Sequence, residues 1–210
     1  MRDAVIVSAA RTGMGRAYRG AFNATPAPTL GAFALKAAVE RAGLDGGEVE
    51  DVLWGSALQQ GGQMPNLARL VALRAGLPVT VPGATIDRQC SSGLMTIAAA
   101  SRQVAYEGMA VVAAGGQESI STVQTPTIRM EFDPQLIAMH AATYMPMLQT
   151  AEVVAQRYGI DREACDAYAL QSQQRTAAAQ AAGAFDAEIV PVTTTMAVTD
   201  KASGQTSQKR

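Results

Sequence analysis

Asp87-Arg88-Gln89-Cys90-Ser91-Ser92-Gly93-Leu94 joins two runs of opposite character. The strand-like Ala84-Thr85-Ile86-Asp87 leads into it, and a helix-like run from Leu94 to Glu107 leaves it. Cys90 therefore falls at a strand-to-helix turn. A free thiol ionises near pH ~8.5, and the positive end of a helix dipole with its unpaired N–H groups favours the thiolate. The same N–H groups can hold an oxyanion once the sulfur has attacked a carbonyl. Ser91 and Ser92 suit a helix start, and Gly93 keeps the approach to the sulfur open. Spacing alone leaves two readings: a nucleophile on an elbow, or a small buried thiol that only packs.

Outward from this turn, elements alternate as in a parallel α/β sheet. Ala4-Val5-Ile6-Val7 is a short apolar run and predicts a buried strand. Thr29 reads as the cap of a helix with its stripe on Leu30, Phe33, Ala34, Ala37 and Ala38, stopped at Gly43. Asp51 to Trp54 predicts a strand. Asn66 to Ala75 predicts a helix ended by Gly76, with Pro78 beyond. A strand over Ala110 to Ala114 closes the alternation. Strand order does not follow from the pattern. Thr122 to Met147 then reads as irregular, with Pro126, Pro134 and Pro146 and the methionines Met130, Met139, Met145 and Met147. Thr150 to Tyr158 and Asp161 to Ala182 predict two helices, the second capped by Asp161 and stopped by Gly183.

The whole string resembles the active-site motif of the thiolase family, which has the form Asn-Arg-x-Cys-x-Ser-Gly. Three further blocks and the opening support the resemblance: Gly115-Gly116-Gln117-Glu118-Ser119-Ile120-Ser121, Thr150-Ala151-Glu152 with Tyr158-Gly159-Ile160, Phe185-Asp186-Ala187-Glu188-Ile189-Val190-Pro191-Val192 as a strand, and Ser8-Ala9-Ala10-Arg11-Thr12. It implies an α/β fold, the N-terminal half of a layered αβαβα core, with a mixed, mostly parallel five-stranded sheet. Residues 1–118 would form the core half that carries the nucleophile. Residues 119–210 would belong to a loop domain that covers the site and helps pack subunits.

Composition sets limits. With 210 residues the chain holds one good-sized core or two small ones, and a net charge of −1 argues against a nucleic-acid surface. No lysine/arginine run suggests an anionic-lipid patch, and no apolar stretch reaches the length of a membrane span. Two distant cysteines make neither a disulfide framework nor a zinc site. The expectation is a cytoplasmic protein.

The resemblance implies thiolytic cleavage of a 3-ketoacyl-CoA, or the reverse condensation of two acetyl-CoA, through an acyl group on Cys90. No metal or redox cofactor is implied; acyl-CoA and CoA are substrates. It also implies that the Cys90 N–H is one oxyanion donor, and that Met147 packs near the pantetheine and acyl region. A methionine filling a core gap reads equally well at Met147. Pro146 stands where biosynthetic acetoacetyl-CoA thiolases tend to carry histidine, which tilts the reading towards a degradative or broad-range enzyme. Gly115, Gly116 and Glu118 resemble a turn supporting the Cys90 loop. Arg88 either braces that loop or is a surface residue. Cys165 predicts a packed helix position beside Tyr168 and Ala169, and His140 is left out of the chemistry.

In the family, a Gly-His-Pro histidine, a second cysteine in Cys-x-Gly-Gly-Gly and an asparagine complete the site, and none of these motifs occurs here. The polar tail Lys201 to Arg210 reads as an exposed tip open to a trypsin-like cut. The chain is therefore expected to be the N-terminal piece of a longer thiolase, or one subunit of a split one, partnered by the C-terminal half and assembled as a homo-oligomer (dimer or tetramer). The alternatives are a ketoacyl-synthase relative and a non-catalytic acyl-CoA-binding protein that keeps the fold.

Overall fold

A computed structural model describes residues 2–127, 131–200 and 202–209 of the chain. Met130 of the methionine group and both ends of the tail, Lys201 and Arg210, lie outside the described residues. The chain divides into two units, Met1–Ile128 with Glu188–Arg210, and Arg129–Ala187.

In the first unit, helix α1 (Ala27–Arg41) precedes strand β1 (Asp51–Gly55), helix α2 (Leu67–Ala75), strand β2 (Gly83–Ile86), helix α3 (Ser92–Arg102) and strand β3 (Val112–Gly116). The three strands form a parallel sheet in the order β2-β1-β3. Val52 pairs with Gly83 on one side and with Ala113 on the other. All five residues of β1 are buried, as expected of a central parallel strand covered on both faces. Alternate residues point to opposite faces. Val52 and Trp54 join a core with Leu35 of α1 and Leu67, Ala68, Val71 and Ala72 of α2. Gly55 instead meets the first turn of α3. Helices thus cover both faces of the sheet.

Local chemistry explains most boundaries. The Asn66 side chain accepts the Arg69 N–H, and Gly76 ends α2 at φ 90°, a left-handed position that costs glycine nothing. Helix α1 starts earlier than expected. Pro26 precedes it with φ preset at −56°, and the Thr29 hydroxyl accepts Arg74 Nε at 3.1 Å rather than capping. α3 passes into a π turn over Gln103–Glu107 before Gly108 stops it.

Three sequence expectations fail here. The five-stranded sheet appears with three strands among the described residues, beside a separate hairpin of β4 (Met196–Thr199) and β5 (Thr206–Lys209). The apolar run at the start makes no strand: Val5, Ile6 and Val7 are 74%, 80% and 72% exposed. Apolar content gives strand propensity, but a strand also needs an edge to pair with, and this run finds none among the described residues. Pairing begins only downstream, where Arg11 N–H donates to Glu188 O at 2.9 Å and Val190 N–H donates to Arg11 O at 2.8 Å. The strand expected over Phe185–Val192 is likewise reduced to the single parallel bridge Arg11↔Ile189. The described tail residues 202–209 are exposed as expected, and Thr206–Lys209 also pairs with Met196–Thr199. In the β4–β5 hairpin the Ser203 N–H, the Ser203 hydroxyl and the Ala202 N–H hold the Asp200 carboxyl below its usual range.

The second unit holds α5 (Pro134–Met139), α6 (Met147–Tyr158) and α7 (Arg162–Ala181), following the short α4 (Ile120–Val123) of the first. The stretch read as irregular thus contains helix starts. Two of its three prolines act as entry residues: Pro134 is at the first turn behind the Asp133 cap, and Pro146 sits at the cap of α6. Asp161 caps α7 through the Ala164 N–H at 2.8 Å, and Gly183 turns at φ 68°. No residue of α6 or α7 is buried. Cys165 is exposed, not packed, because α7 presents mostly alanine, glutamine and charged residues and has no apolar stripe to bury. No helix among the described residues is long and apolar enough to cross a membrane.

Candidate active site

The connections from β1 and β2 leave the sheet on opposite faces, α2 on one and α3 on the other. Open α/β sheets place their ligands at the carboxyl ends of such adjacent strands. Cys90 stands there, exposed, in the turn between β2 and α3.

The turn is held from within. The Asp87 carboxylate accepts the Gln89 N–H at 2.8 Å, and Gln89 takes φ 51°, a left-handed conformation uncommon for a residue with a side chain. The buried Ser92 hydroxyl accepts the Arg88 N–H at 2.8 Å and donates to Gln89 O at 2.6 Å. Ser91 Oγ donates to Arg88 O at 2.8 Å. Arg88 braces the loop through its backbone, while its side chain lines an open groove with Leu94, Met95, Ala98 and Arg102 on the outer face of α3. Among the described residues none accepts the Cys90 N–H. The Gly93 position faces open space.

Glycines let the sheet meet this turn closely. A Cβ on Gly55 would lie 2.6 Å from Ser92 C and 2.7 Å from Gly93 N, and one on Gly116 would lie 3.3 Å from Gly93 Cα. Gly115 and Gly116 are the last residues of β3, not a turn as the sequence suggests, and Gly115 makes room for the Trp54 ring. Trp54 Nε1 donates to Gln117 Oε1 at 3.2 Å. Glu118 does follow in the loop. Its carboxylate accepts the Ala57 N–H at 2.8 Å, the Ser56 hydroxyl and the Gln63 side-chain amide. Gln63 is fully buried; its amide nitrogen shares its two hydrogens among Glu118, Ser56 Oγ and Leu58 O, while its Oε1 accepts the Ser119 N–H at 2.7 Å. This network ties the loop after β1 to the loop after β3. A buried amide with every group satisfied fixes one conformation, because any other leaves polar atoms unpaired.

Comparison with known proteins agrees with this geometry. The family model described as "Thiolase, N-terminal domain" matches residues 4–209. The chain belongs to the thiolase family. It is 42% identical over 198 residues to a protein named 3-ketoacyl-CoA thiolase from Bacillus subtilis, an alignment covering 93% of this chain and 50% of that one. It is 43% identical over 205 residues to one named acetyl-CoA acetyltransferase from Cupriavidus necator, covering 91% and 51%. It is 42% identical over 212 residues to one named beta-ketoadipyl-CoA thiolase from Acinetobacter baylyi, covering 92% and 52%. The thiolase chain described here spans about half the length of the curated relatives it matches.

The other residues singled out in this thiolase sequence lie in its second unit. Met147 opens α6 and is 77% exposed, so it does not fill a core gap there. His140 follows α5 as its C-cap residue, and no group of three or more His, Cys, Asp or Glu that could hold a metal occurs among the described residues. Sequence reasoning passed over Gly55, Ser56, Gln63 and Thr96. Gln63 carried no distinguishing signal, since Gln59 and Gln60 flank the same glycine pair.

Proposed function

We propose that Cys90 is the acyl acceptor of a thiolase acting on coenzyme A thioesters, and that residues 1–118 form the core half carrying it while residues 119–210 belong to the loop domain. The observation that carries this reading is the exposed Cys90 thiol at the carboxyl edge of a parallel sheet, at the turn that opens α3. The Cys90 sulfur attacks C3 of a 3-ketoacyl-CoA. The bond between C2 and C3 breaks, its electron pair stays on C2, and C2 takes a proton as acetyl-CoA leaves. The acyl group remains on Cys90 as a thioester. The sulfur of incoming CoA then attacks that carbonyl, the Cys90 sulfur departs, and a shortened acyl-CoA is released. Sulfur attacks and sulfur leaves, so the transfer is close to balanced, and two moderate barriers replace one high one.

The Cys90 N–H at the head of α3 faces the developing oxyanion. The groups that move protons in the family come from motifs absent in this sequence, and we assign them to further polypeptide, the C-terminal half of the same protein, in a homo-oligomer (dimer or tetramer) in the cytoplasm. Neither the exposed thiol nor the motif chemistry calls for a resident cofactor. Pro146 favours a degradative or broad-range 3-ketoacyl-CoA thiolase. Met147 contributes to the acyl and pantetheine end of the site.

The assay that separates this reading from a ketoacyl synthase or a passive acyl-CoA binder is thiolysis of acetoacetyl-CoA by CoA, run beside condensation with a malonyl carrier. On the protein assembled with its C-terminal half, thiolysis without condensation is the expected result; condensation alone, or tight acyl-CoA binding with no turnover, contradicts it. In the same assay a Met147→Ala enzyme with unchanged KM for acetoacetyl-CoA removes Met147 from the pocket.

A further inference from the structure

Thr96 lies one turn into α3 and is fully buried. Its Oγ1 donates towards two carbonyls, Gly93 O at 2.7 Å and Gly115 O at 2.9 Å. The first contact alone is an ordinary local bond of a helical threonine. The second is not local: it reaches from the helix to the last turn of pleat in β3, beside the point where Trp54 pairs with Gly115. One proton shared between a helix carbonyl and a strand carbonyl fixes how far α3 can slide along the sheet. The close approach around it leaves little slack. Gly55 would place a Cβ 2.6 Å from Ser92 C, and Gly116 would place one 3.3 Å from Gly93 Cα.

We infer that Thr96 is a positioning residue for acyl transfer to Cys90. It touches neither the sulfur nor the substrate. It acts through Gly93 and the first turn of α3, and so sets where the Cys90 N–H stands when an oxyanion forms. The inference rests on the reading of Cys90 as acyl acceptor, and its test separates the two.

Two reactions at the same sulfur differ in what they ask of the backbone. Acetylation by acetyl-CoA forms a bond from sulfur to the acetyl carbon through a tetrahedral oxyanion; the bond to the CoA sulfur breaks, and CoA leaves as a thiolate that takes a proton from water. Alkylation by iodoacetamide displaces iodide at a saturated carbon and makes no oxyanion. Both rates are read at Cys90 by peptide mass spectrometry on the protein assembled with its C-terminal half, with Cys165 as the internal reference. Thr96→Val, which keeps the shape and loses the hydroxyl, should slow acetylation by about tenfold or more while alkylation stays within about twofold. Thr96→Ser, which keeps the hydroxyl, should restore acetylation. Acetylation unchanged in Thr96→Val, a proportional fall in both reactions, or no rescue by serine overturns the inference. If Thr96→Val does not fold, Thr96→Ala carries the same comparison. A wild-type chain that alkylates but never acetylates at Cys90 defeats the reading of Cys90 itself, and leaves Thr96 with no function to position.

Discussion

Replacing Cys90 by serine is expected to lower thiolysis by a factor on the order of 10³ or more while leaving the fold unchanged. The two halves of this expectation have separate causes. A serine hydroxyl is almost wholly un-ionised at neutral pH, and it would also have to leave from its ester against a thiol. Stability, by contrast, owes little to the sulfur. Cys90 is exposed, and the turn around it is held by Asp87, Ser91 and Ser92. Surface substitutions away from such contacts change stability by about 0.5 kcal/mol or less. Paired measurements of turnover and thermal unfolding check both halves. Near-normal turnover in Cys90→Ser makes the thiol a packing residue, and a large loss of stability places it inside the structure.

Gly55→Ala should be the most damaging single-methyl change in the sheet. The added Cβ would meet Ser92 C at 2.6 Å and Gly93 N at 2.7 Å. Both are backbone atoms, so no side chain can swing aside, and either β1 or the first turn of α3 must shift. Overpacking of this kind costs roughly 1–3 kcal/mol. The larger effect falls on acyl transfer, because a displacement of about 1 Å at a reacting centre can cost about 10²-fold. Gly93→Ala is the matched control. Its Cβ meets nothing within 4 Å, and alanine is the better helix former, so the fold should tolerate it. Unfolding curves for the pair decide the matter: an equal loss of stability in the two variants contradicts the role given to the contact between Gly55 and the head of α3.

The parts of the fold legible in the sequence are those set by short-range chemistry. Asn66 and Gly76 bracket α2 because a cap side chain and a left-handed terminus are written in single residues. The strand at Asp51 and the elbow at Cys90 follow from abrupt changes of period. The parts that failed depend on partners distant in the chain. Val5, Ile6 and Val7 look like a core strand, yet burial requires an edge to receive them, and local composition carries no information about that edge. Phe185–Val192 fails for the same reason, its strand pairing among the described residues being the bridge to Arg11. Prolines 134 and 146 read as breaks but start helices, since proline fits a first turn as well as a loop.

For the site, the nucleophile candidate was visible and its supports were not. A threonine inside a helical run, a glutamine after two glycines and a glycine ending a strand are each unremarked in sequence. They acquire meaning once Thr96 reaches Gly115, Gln63 meets Glu118, and Gly55 meets Ser92 in three dimensions. Cys165 shows the converse: apolar neighbours at i+3 and i+4 suggested packing, but α7 buries none of its residues.

The two thiols offer the most direct test of the account, because both are free and exposed in one chain and only Cys90 sits at a strand-to-helix turn. Incubation with acetyl-CoA, followed by acid quench and peptide mapping, locates any acetyl thioester. The account predicts the label on Cys90, removable by added CoA, with Cys165 unmodified. Equal labelling of both cysteines, or a label on Cys165 alone, contradicts it.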